Sequence, residues 1–545
     1  MLSVKRIRNR NYHIDLARED YYLEGGEPPG QWYGSGAKSL GLNGQVEKAA
    51  LLHIMDGFSA DGSKKLVQNA GSEQIVSTNK AGETQVRARE IGWDFTLSAP
   101  KTLSVIWSQA EPRTRNAIQT IHEKAVKKTL DWLEAQARTR RGKGGTRQEP
   151  VQLVSALFEH GTSRELDPQL HTHCLLMNVG VRQDGTTGAI QLDRLLKHKM
   201  LLGALYRAEL AKQLSAQLGY EIGPHLKGKA ALFDFKGIDP GLVEAFSTRR
   251  HEIEDRLRNR GEAGAIAASI AALDTRQVKD NIPPRDRLFA IWQEIGESFD
   301  YTPPPPRFVR YDIDAMKQKA SNEALEALVK QHDRFTQHDL LRAVAERAPQ
   351  HGLGIREIEA AVEERLARND IVHSGKVRGE TIYTTQTRLA LEKLLTAAVG
   401  EARKEVAQIA GLNAGKVTRS TLKKAKDALS SQGYQVVGIA PGKTALHLRD
   451  ELGIKTYTPQ RYLGKLHDQH LKLNDSTVLA IEGAEKMPTP LLARLVSEKK
   501  DAKLILLEAN EETGALTKPL NHNPDIARSR ERISGGESRG EPLEL

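Results

Sequence analysis

Cysteine is almost absent from this chain, which has one, Cys174, among 545 residues. A single cysteine excludes a disulfide framework and cysteine-built zinc fingers, and it fits a reducing cytosol. No apolar run approaches the ~18 residues that a membrane span needs. The start of the chain, MLSVKRIRNRNYH, lacks the apolar core of a secretory signal peptide. These absences predict a cytoplasmic protein that does not insert into a membrane.

Positive charge, in contrast, is in excess. The chain has 80 lysine and arginine residues against 70 aspartate and glutamate residues, which gives a formal net charge of +10. An excess of this size favours a polyanionic partner such as nucleic acid. The length predicts three or four domains, because one domain usually has about 100 to 200 residues.

Changes in sequence pattern divide the chain into four parts. Residues 1–305 mix short β-rich runs with long helical patterns, and they end in a proline run, TPPPPR, that can continue neither element. Residues 306–390 predict helices followed by a small hairpin, which is a winged-helix-like module. Residues 391–518 alternate helix and strand, as parallel α/β layers do. Residues 519–545 have little apolar content and predict a disordered tail.

The strongest local signal is a set of three histidines in the segment HGTSRELDPQLHTH. His171 and His173 share one face of a strand, because side chains alternate along β-structure. His160 comes alongside them if its strand is an antiparallel neighbour. Three imidazoles leave coordination positions open for water or substrate, so we predict a divalent metal site. The ion would be Mg²⁺ or Mn²⁺, or another transition ion that suits imidazole. Histidines without an ion are the alternative.

Four other residues could take part in chemistry. Tyr12, Tyr21 and Tyr22 lie near the start of the chain. A stabilised phenolate can act as a covalent nucleophile, although such tyrosines often only pack. Asp94 stands in the apolar run WDFTLSAPKT. A buried carboxylate must be paired, so Asp94 should meet a histidine, an arginine or a metal, unless it faces water from an edge strand.

Basic residues supply the candidate DNA contacts. The glycine-rich segment RTRRGKGGTR predicts a flexible loop whose positive charges suit phosphates, although such a loop can also be merely solvated. The predicted contacts are Arg138, Arg140, Arg141, Lys143 and Arg147 of this segment, together with Lys101 and Arg164.

In combination, these motifs resemble the F-plasmid-type (MobF) conjugative relaxases of the HUH endonuclease family. The resemblance rests on the N-terminal tyrosines, on GWDFTLSAPK at 92–101 and on HGTSRELDPQLHTH at 160–173, with further matches at 31–37 and 271–276. It covers roughly the first 300 residues in order. It departs from the family where GTSR replaces DTSR, and where the first tyrosine pair is Tyr12-His13.

The resemblance implies an α+β relaxase domain whose antiparallel sheet carries the HUH strands between flanking helices. It implies a metal-dependent DNA nickase in which a tyrosine attacks one phosphodiester at a plasmid transfer origin and leaves a 5′-phosphotyrosyl link. Tyr12 aligns with the initiating tyrosine and Tyr21 with the strand-transfer tyrosine. The three histidines would hold the ion, and Asp94 would orient one of them or help to deprotonate the tyrosine. The implied partners are single-stranded and duplex DNA at the origin, accessory relaxosome proteins and a coupling protein in the bacterial cytoplasm.

Residues 391–518 resemble the RecA-like helicase part that follows the relaxase in this family, but their ATP motifs are degenerate. AGLNAGKV stands at the P-loop, with Ala410 and Val417 where a working loop needs glycine and Ser or Thr around Lys416. LAIEGA at 479–484 replaces an apolar run followed by Asp-Glu. We predict a region that binds single-stranded DNA without ATPase activity, with a passive spacer as the alternative.

Two other functions stay open at this point. One is a rolling-circle replication initiator, another HUH enzyme; the other is a non-catalytic DNA-binding scaffold. The segments around Trp32 and SAPK and the helicase-like remnant favour the relaxase over the initiator. The tyrosines and the three histidines argue against the scaffold, which requires neither.

Overall fold

A computed structural model describes most of the chain, in the ranges 2–7, 28–72, 74–78, 84–142, 145–163, 165–225, 232–248, 251, 255, 283–377, 379–395, 418–471, 473–499 and 501–507. The chain divides into two compact units. The first unit comprises Met1–Ala320 with Val344–Ala361, and the second comprises Ser321–Ala343 with Val362–Leu545. The tail predicted at 519–545 lies outside the described residues, as does the match at 271–276.

The described strands are β1 (Leu2–Arg6), β2 (Gln31–Tyr33), β3 (Gln74–Thr78), β4 (Thr84–Ala88), β5 (Gly92–Ser98), β6 (Arg138–Arg141), β7 (Arg147–Pro150), β8 (Gln152–Thr162), β9 (Pro168–Val181), β10 (Thr187–Gly188), β11 (Ile222–Pro224), β12 (Phe233–Phe235), β13 (Phe335–Thr336), β14 (Ile371–Val377), β15 (Glu380–Thr385), β16 (Gln435–Ile439), β17 (Lys455–Tyr457), β18 (Thr477–Glu482) and β19 (Lys503–Leu507). The described α-helices are α1 (Ser35–Ser39), α2 (Lys48–Met55), α3 (Lys101–Gln109), α4 (Pro112–Gln136), α5 (Leu192–Leu196), α6 (Lys199–Leu218), α7 (Pro240–Ala245), α8 (Arg285–Glu297), α9 (Ile313–Gln331), α10 (Gln337–Arg347), α11 (Ile355–Leu366), α12 (Arg419–Ser431), α13 (Thr444–Leu452), α14 (Pro459–His467) and α15 (Thr489–Ser497). Among the described residues, none of the helices combines the length and the apolar character needed to cross a bilayer.

The first unit is built on an antiparallel sheet with strand order β1-β5-β9-β8-β2, in which β10 also pairs with β9. Its longest strands, β8 and β9, form one hairpin and are buried along both faces. Helices therefore have to cover the sheet. The antiparallel sheet with flanking helices that the resemblance implies is confirmed.

Each face of this sheet has its own apolar layer. On one face, Phe158, Leu175 and Met177 belong to a buried cluster that includes Trp32 of β2 and Met55 of α2. The other face is lined by helices that include α4. Its residues Ile118, Ile121 and Ala125 are buried at helical spacing, so this long helix presents one apolar stripe.

The end of the first unit is a short segment, 344–361, that follows part of the second unit in sequence. It is tied to α4 and α6 by polar contacts. Trp132 Nε1 donates to Glu359 Oε1 at 2.9 Å, and the backbone N–H of Ile355 donates to Glu209 Oε2 at 3.1 Å. Lys212 and Glu357 add an ion pair at 2.7 Å.

Within the basic segment predicted to be a flexible loop, Arg138–Arg141 form β6, which pairs with β7, so the loop prediction was wrong for these four residues. Ion pairs help to explain why this segment forms strands. Arg141 lies 3.2 Å from Glu149 and 2.7 Å from Asp184, and Arg147 lies 2.5 Å from Glu149. These carboxylates offset part of the positive charge of the hairpin. Lys143 lies outside the described residues.

The described residues of the second unit form two sheets. One is the antiparallel hairpin of β14 and β15, to which β13 adds a short third strand. It follows α9, α10 and α11 in the chain, and parts of these helices belong to the first unit. Further along the chain, four parallel strands have the order β17-β16-β18-β19, with helices in the connections. Parallel neighbours need crossover connections, which the alternating sequence pattern supplies. The predicted parallel α/β layer is therefore present.

Candidate metal centre

Strands β8 and β9 bring the three histidines together. His160 lies directly opposite His171 in the strand register, and His173 follows two residues later on the same face. The ring centroids lie 5.1 to 5.4 Å apart. One ligand atom from each residue lies within 4.8 Å of the others, which is close enough for the three to hold one ion. The hairpin geometry on which the sequence prediction depended is thus the geometry found.

Hydrogen bonds at the back of two rings set their tautomers. His171 Nδ1 lies 2.7 Å from the backbone oxygen of Gln169, and His173 Nδ1 lies 2.7 Å from Asp94 Oδ2. A carbonyl and a carboxylate can only accept, so each Nδ1 carries the hydrogen. Each Nε2 then keeps its lone pair for a metal ion. The donor set therefore fits a divalent ion.

Asp94 occupies a position that suits an orienting carboxylate. It lies on β5, which is flanked by β1 and β9, and only 5% of it is exposed. The alternative of an edge-strand aspartate facing water is therefore wrong. Thr96, two residues along the same face, donates its hydroxyl to Asp94 Oδ1 at 3.2 Å. The sequence analysis did not single out Thr96, although period-two spacing from Asp94 was the signal that could have found it.

On the opposite face of β9, the strand that carries His171 and His173, a chain of hydrogen bonds connects the sheet to the helices. Thr172, between the two β9 histidines, lies 2.8 Å from His122 Nε2, and His122 Nδ1 lies 2.8 Å from the hydroxyl of Tyr206. All three residues are buried. Burial lowers the pKa of His122 to about 3, so this imidazole is neutral at physiological pH. A histidine within the apolar stripe of α4 was the only sequence signal for this network, and it was missed.

The predicted DNA contacts have different surroundings. Arg138 donates to the backbone oxygens of Ala135 and Ala137, while Arg140 is exposed. Lys101 does not extend from the surface. Its ammonium group donates to the backbone oxygen of Pro168 at 2.9 Å, and burial lowers its pKa to about 8.

Several predicted site residues lie outside the described part of the chain: Tyr12, Tyr21, Tyr22, Lys143, Arg164 and Lys416. Their roles stay predictions.

The second unit has a charged cluster where the sequence suggested remnants of an ATP site. Arg419, the first residue of α12, donates to both carboxylate oxygens of Glu482 at the end of β18, at 2.6 and 2.8 Å. It also donates to Glu451 at 2.8 Å. The acid that stands where an ATPase has Asp-Glu is thus neutralised by a guanidinium group of the same chain.

Two family models match separate parts of the chain. The family model for TrwC relaxase matches residues 7–299, and the model for an AAA domain matches residues 390–509. Over 415 residues the chain is 29% identical to the multifunctional conjugation protein TraI of Escherichia coli strain K12, which covers 70% of this chain and 22% of TraI. A second TraI from Escherichia coli is 29% identical over 401 residues, covering 68% and 21%. The chain spans about a fifth of the length of these relatives.

Solved structures of a conjugative relaxase, TrwC, also match. The copper-bound complex with OriT DNA aligns with a TM-score of 0.47 and 30% identity, over 56% of this chain and 100% of that chain. The complex with a 27-mer DNA comprising the recognition hairpin and the cleavage site aligns with a TM-score of 0.46 and 30% identity over the same shares.

Proposed function

Since the chain belongs to the TrwC relaxase family, whose model spans more than half of its 545 residues, we propose that it is a conjugative relaxase. It binds a plasmid transfer origin and nicks one DNA strand by tyrosine transesterification. The observation that carries this proposal is the convergence of His160, His171 and His173, with Asp94 oriented on His173. The similarity to TraI, a multifunctional conjugation protein, supports it.

The histidines and Asp94 have separate tasks in this proposal. The three imidazoles hold a divalent ion, Mg²⁺ or Mn²⁺ or another transition ion, since imidazole suits such metals. When bound, the ion polarises the scissile phosphate and neutralises the charge of the transition state. Asp94 accepts the Nδ1 hydrogen of His173 and so fixes the ring with its lone pair toward the ion.

Tyr12 is the nucleophile of the first cut, and Tyr21, paired with Tyr22, serves strand transfer. The Tyr12 hydroxyl loses its proton and its oxygen bonds to phosphorus, while the bond from phosphorus to the 3′ oxygen breaks. The leaving oxygen takes up a proton and becomes a free 3′-hydroxyl. The new 5′-phosphotyrosyl link keeps the energy of the broken ester, so a 3′-hydroxyl can reverse the reaction.

The basic residues and the second unit bind DNA in this proposal. The phosphate contacts come from Arg138, Arg140, Arg141, Lys143, Arg147 and Arg164. Lys101 is not one of them, because its partly buried ammonium group donates to the Pro168 oxygen. Helices α9, α10 and α11 and the three-stranded sheet of β13, β15 and β14 form a winged-helix-like module. The AAA-like region holds single-stranded DNA without hydrolysing ATP. The partners are origin DNA, accessory relaxosome proteins and a coupling protein in the bacterial cytoplasm.

A nicking assay with mass spectrometry tests the proposal. Origin-derived oligonucleotides are incubated with the full chain, and the DNA–peptide adduct is mapped. We expect an adduct on Tyr12 that Tyr12→Phe abolishes, because phenylalanine keeps the aromatic ring and lacks only the attacking oxygen. Tyr21→Phe spares the first cut and impairs strand transfer. EDTA or His171→Ala lowers nicking at least about 100-fold, because the ion supplies several kcal/mol of transition-state stabilisation.

Three results would contradict parts of the proposal. An adduct lost only in Tyr21→Phe reverses the tyrosine assignment. Undiminished nicking by His171→Ala in EDTA rejects the metal centre. The absence of any adduct with origin DNA, while the chain binds that DNA, favours a scaffold over a relaxase.

A further inference from the structure

The turn that joins β8 and β9, the strands of the three histidines, contains an unfavourable backbone conformation. In its described part, the Ser163 N–H donates to the Asp167 oxygen at 2.8 Å, and the Asp167 N–H donates to Ser163 Oγ at 3.1 Å. Between them, Leu166 has a φ of 60°, in the left-handed region that a branched side chain rarely adopts. Such a conformation persists where its surroundings hold it in place.

Two side chains from outside the turn hold its backbone. The indole N–H of Trp292, on α8, donates to the Leu166 oxygen at 2.9 Å. The ammonium group of Lys101, at the start of α3, donates to the Pro168 oxygen at 2.9 Å. Trp292 is 2% exposed and packs in an aromatic cluster with Trp107 and Phe289, so its indole has little freedom to move.

The held backbone leads directly to a metal ligand. Pro168 is followed by Gln169, whose oxygen accepts the Nδ1 hydrogen of His171 at 2.7 Å. A displacement of this segment would move the carbonyl that sets both the tautomer and the orientation of the His171 ring. We infer that Trp292 and Lys101 are positioning residues of the metal centre, which hold the backbone at 166–169 so that His171 Nε2 is presented to the ion. The inference rests on the proposed metal centre of the relaxase.

The same aromatic cluster supplies a matched control. Trp107 is fully buried, and among the described residues its Nε1 has no hydrogen-bond partner. Trp107→Phe and Trp292→Phe therefore make the same chemical change in one cluster. Only Trp292→Phe removes a hydrogen bond to the turn.

The test measures Mn²⁺ binding to the full chain by calorimetry, without DNA. Trp292→Phe should weaken Mn²⁺ binding by about 10-fold, the range found when residues supporting metal ligands are changed. Trp107→Phe should stay within about twofold of the wild-type chain. Unfolding midpoints are measured in parallel, and similar losses in both variants would show that stability does not account for the difference in affinity.

Lys101 gives a second, independent readout. Lys101→Met removes the donor and should weaken Mn²⁺ binding, while Lys101→Arg keeps a donor and should restore at least part of the affinity. This pair decides the question if Trp292→Phe does not fold. Equal affinities for Trp292→Phe and Trp107→Phe, or for the two Lys101 variants, overturn the inference.

The outcome is separable from that of the proposed function. If the affinities follow the expected order but the wild-type chain nicks no origin DNA, the positioning inference stands and the relaxase proposal fails. If ion-dependent nicking is found and Trp292→Phe binds Mn²⁺ as Trp107→Phe does, the relaxase proposal stands and the inference fails. A wild-type chain that binds no Mn²⁺ overturns the inference.

Discussion

His122 contacts the face of β9 opposite His171 and His173, and burial opposes its protonation. Its pKa falls from an ordinary 6.5 to about 3 on burial, so the unfolded chain binds a proton there at pH 5 and the folded chain does not. His122 therefore favours folding fully above about pH 6.5, and this contribution is lost as the pH falls toward 3.

We expect the free energy of unfolding to fall more between pH 7.5 and pH 5 in the wild-type chain than in His122→Gln. The difference should be about 2 kcal/mol, since each pKa unit corresponds to about 1.4 kcal/mol. Tryptophan fluorescence during urea unfolding measures the free energy of unfolding of the first unit, which contains His122 and all five tryptophans. Parallel pH curves for the two proteins would contradict the prediction.

Local spacing explains which site residues could be predicted from the sequence. Strand alternation links His171 to His173. The apolar neighbours of Asp94 indicated a paired, buried carboxylate but left an edge-strand carboxylate facing water as the alternative. The contacts from His122 to Thr172 and from Trp292 to Leu166 join residues 50 and 126 positions apart, across helix–sheet packing that no local pattern encodes. The hairpin of β6 and β7 is a local pairing in which Arg141 contacts Glu149, eight residues away, but its other partner, Asp184, lies 43 residues away.

The ion pair of Arg419 and Glu482 joins the start of α12 to the end of β18. Glu482 is only 11% exposed as a side chain, so removing its partner leaves a largely buried carboxylate uncompensated. We expect Arg419→Met to destabilise the second unit by about 2 kcal/mol, below the range for fully buried pairs because Arg419 is partly exposed.

Hydrogen exchange of the β18 amides measures this effect without interference from the first unit. Arg419→Met should speed their exchange, and the double variant Arg419→Met with Glu482→Gln should recover part of the protection, because it also removes the uncompensated charge. Unchanged exchange in Arg419→Met would mean that the pair contributes nothing to stability. The elements themselves were predictable: the α/β alternation of this region indicated the parallel sheet, but the partner of Glu482 was not visible in the sequence.

The binding of single-stranded DNA by this chain should not depend on ATP. The chain lacks the P-loop glycine at Ala410 and the Ser or Thr at Val417, and Glu482 is engaged by Arg419. We expect no phosphate release from ATP in the presence of single-stranded DNA, and no difference between the wild-type chain and Lys416→Ala. Turnover that disappears in Lys416→Ala would contradict this prediction.

The division into units has a consequence for how the protein is made. The first unit includes residues 344–361, so the chain leaves it after Ala320 and returns to it once. During synthesis, Trp132 and Glu209 can therefore form these hydrogen bonds only after Glu359 and Ile355 have left the ribosome. A fragment ending at the proline run would contain His160, His171 and His173 but leave Trp132 and Glu209 without these contacts. A fragment that keeps every residue of the first unit must therefore extend at least to residue 361.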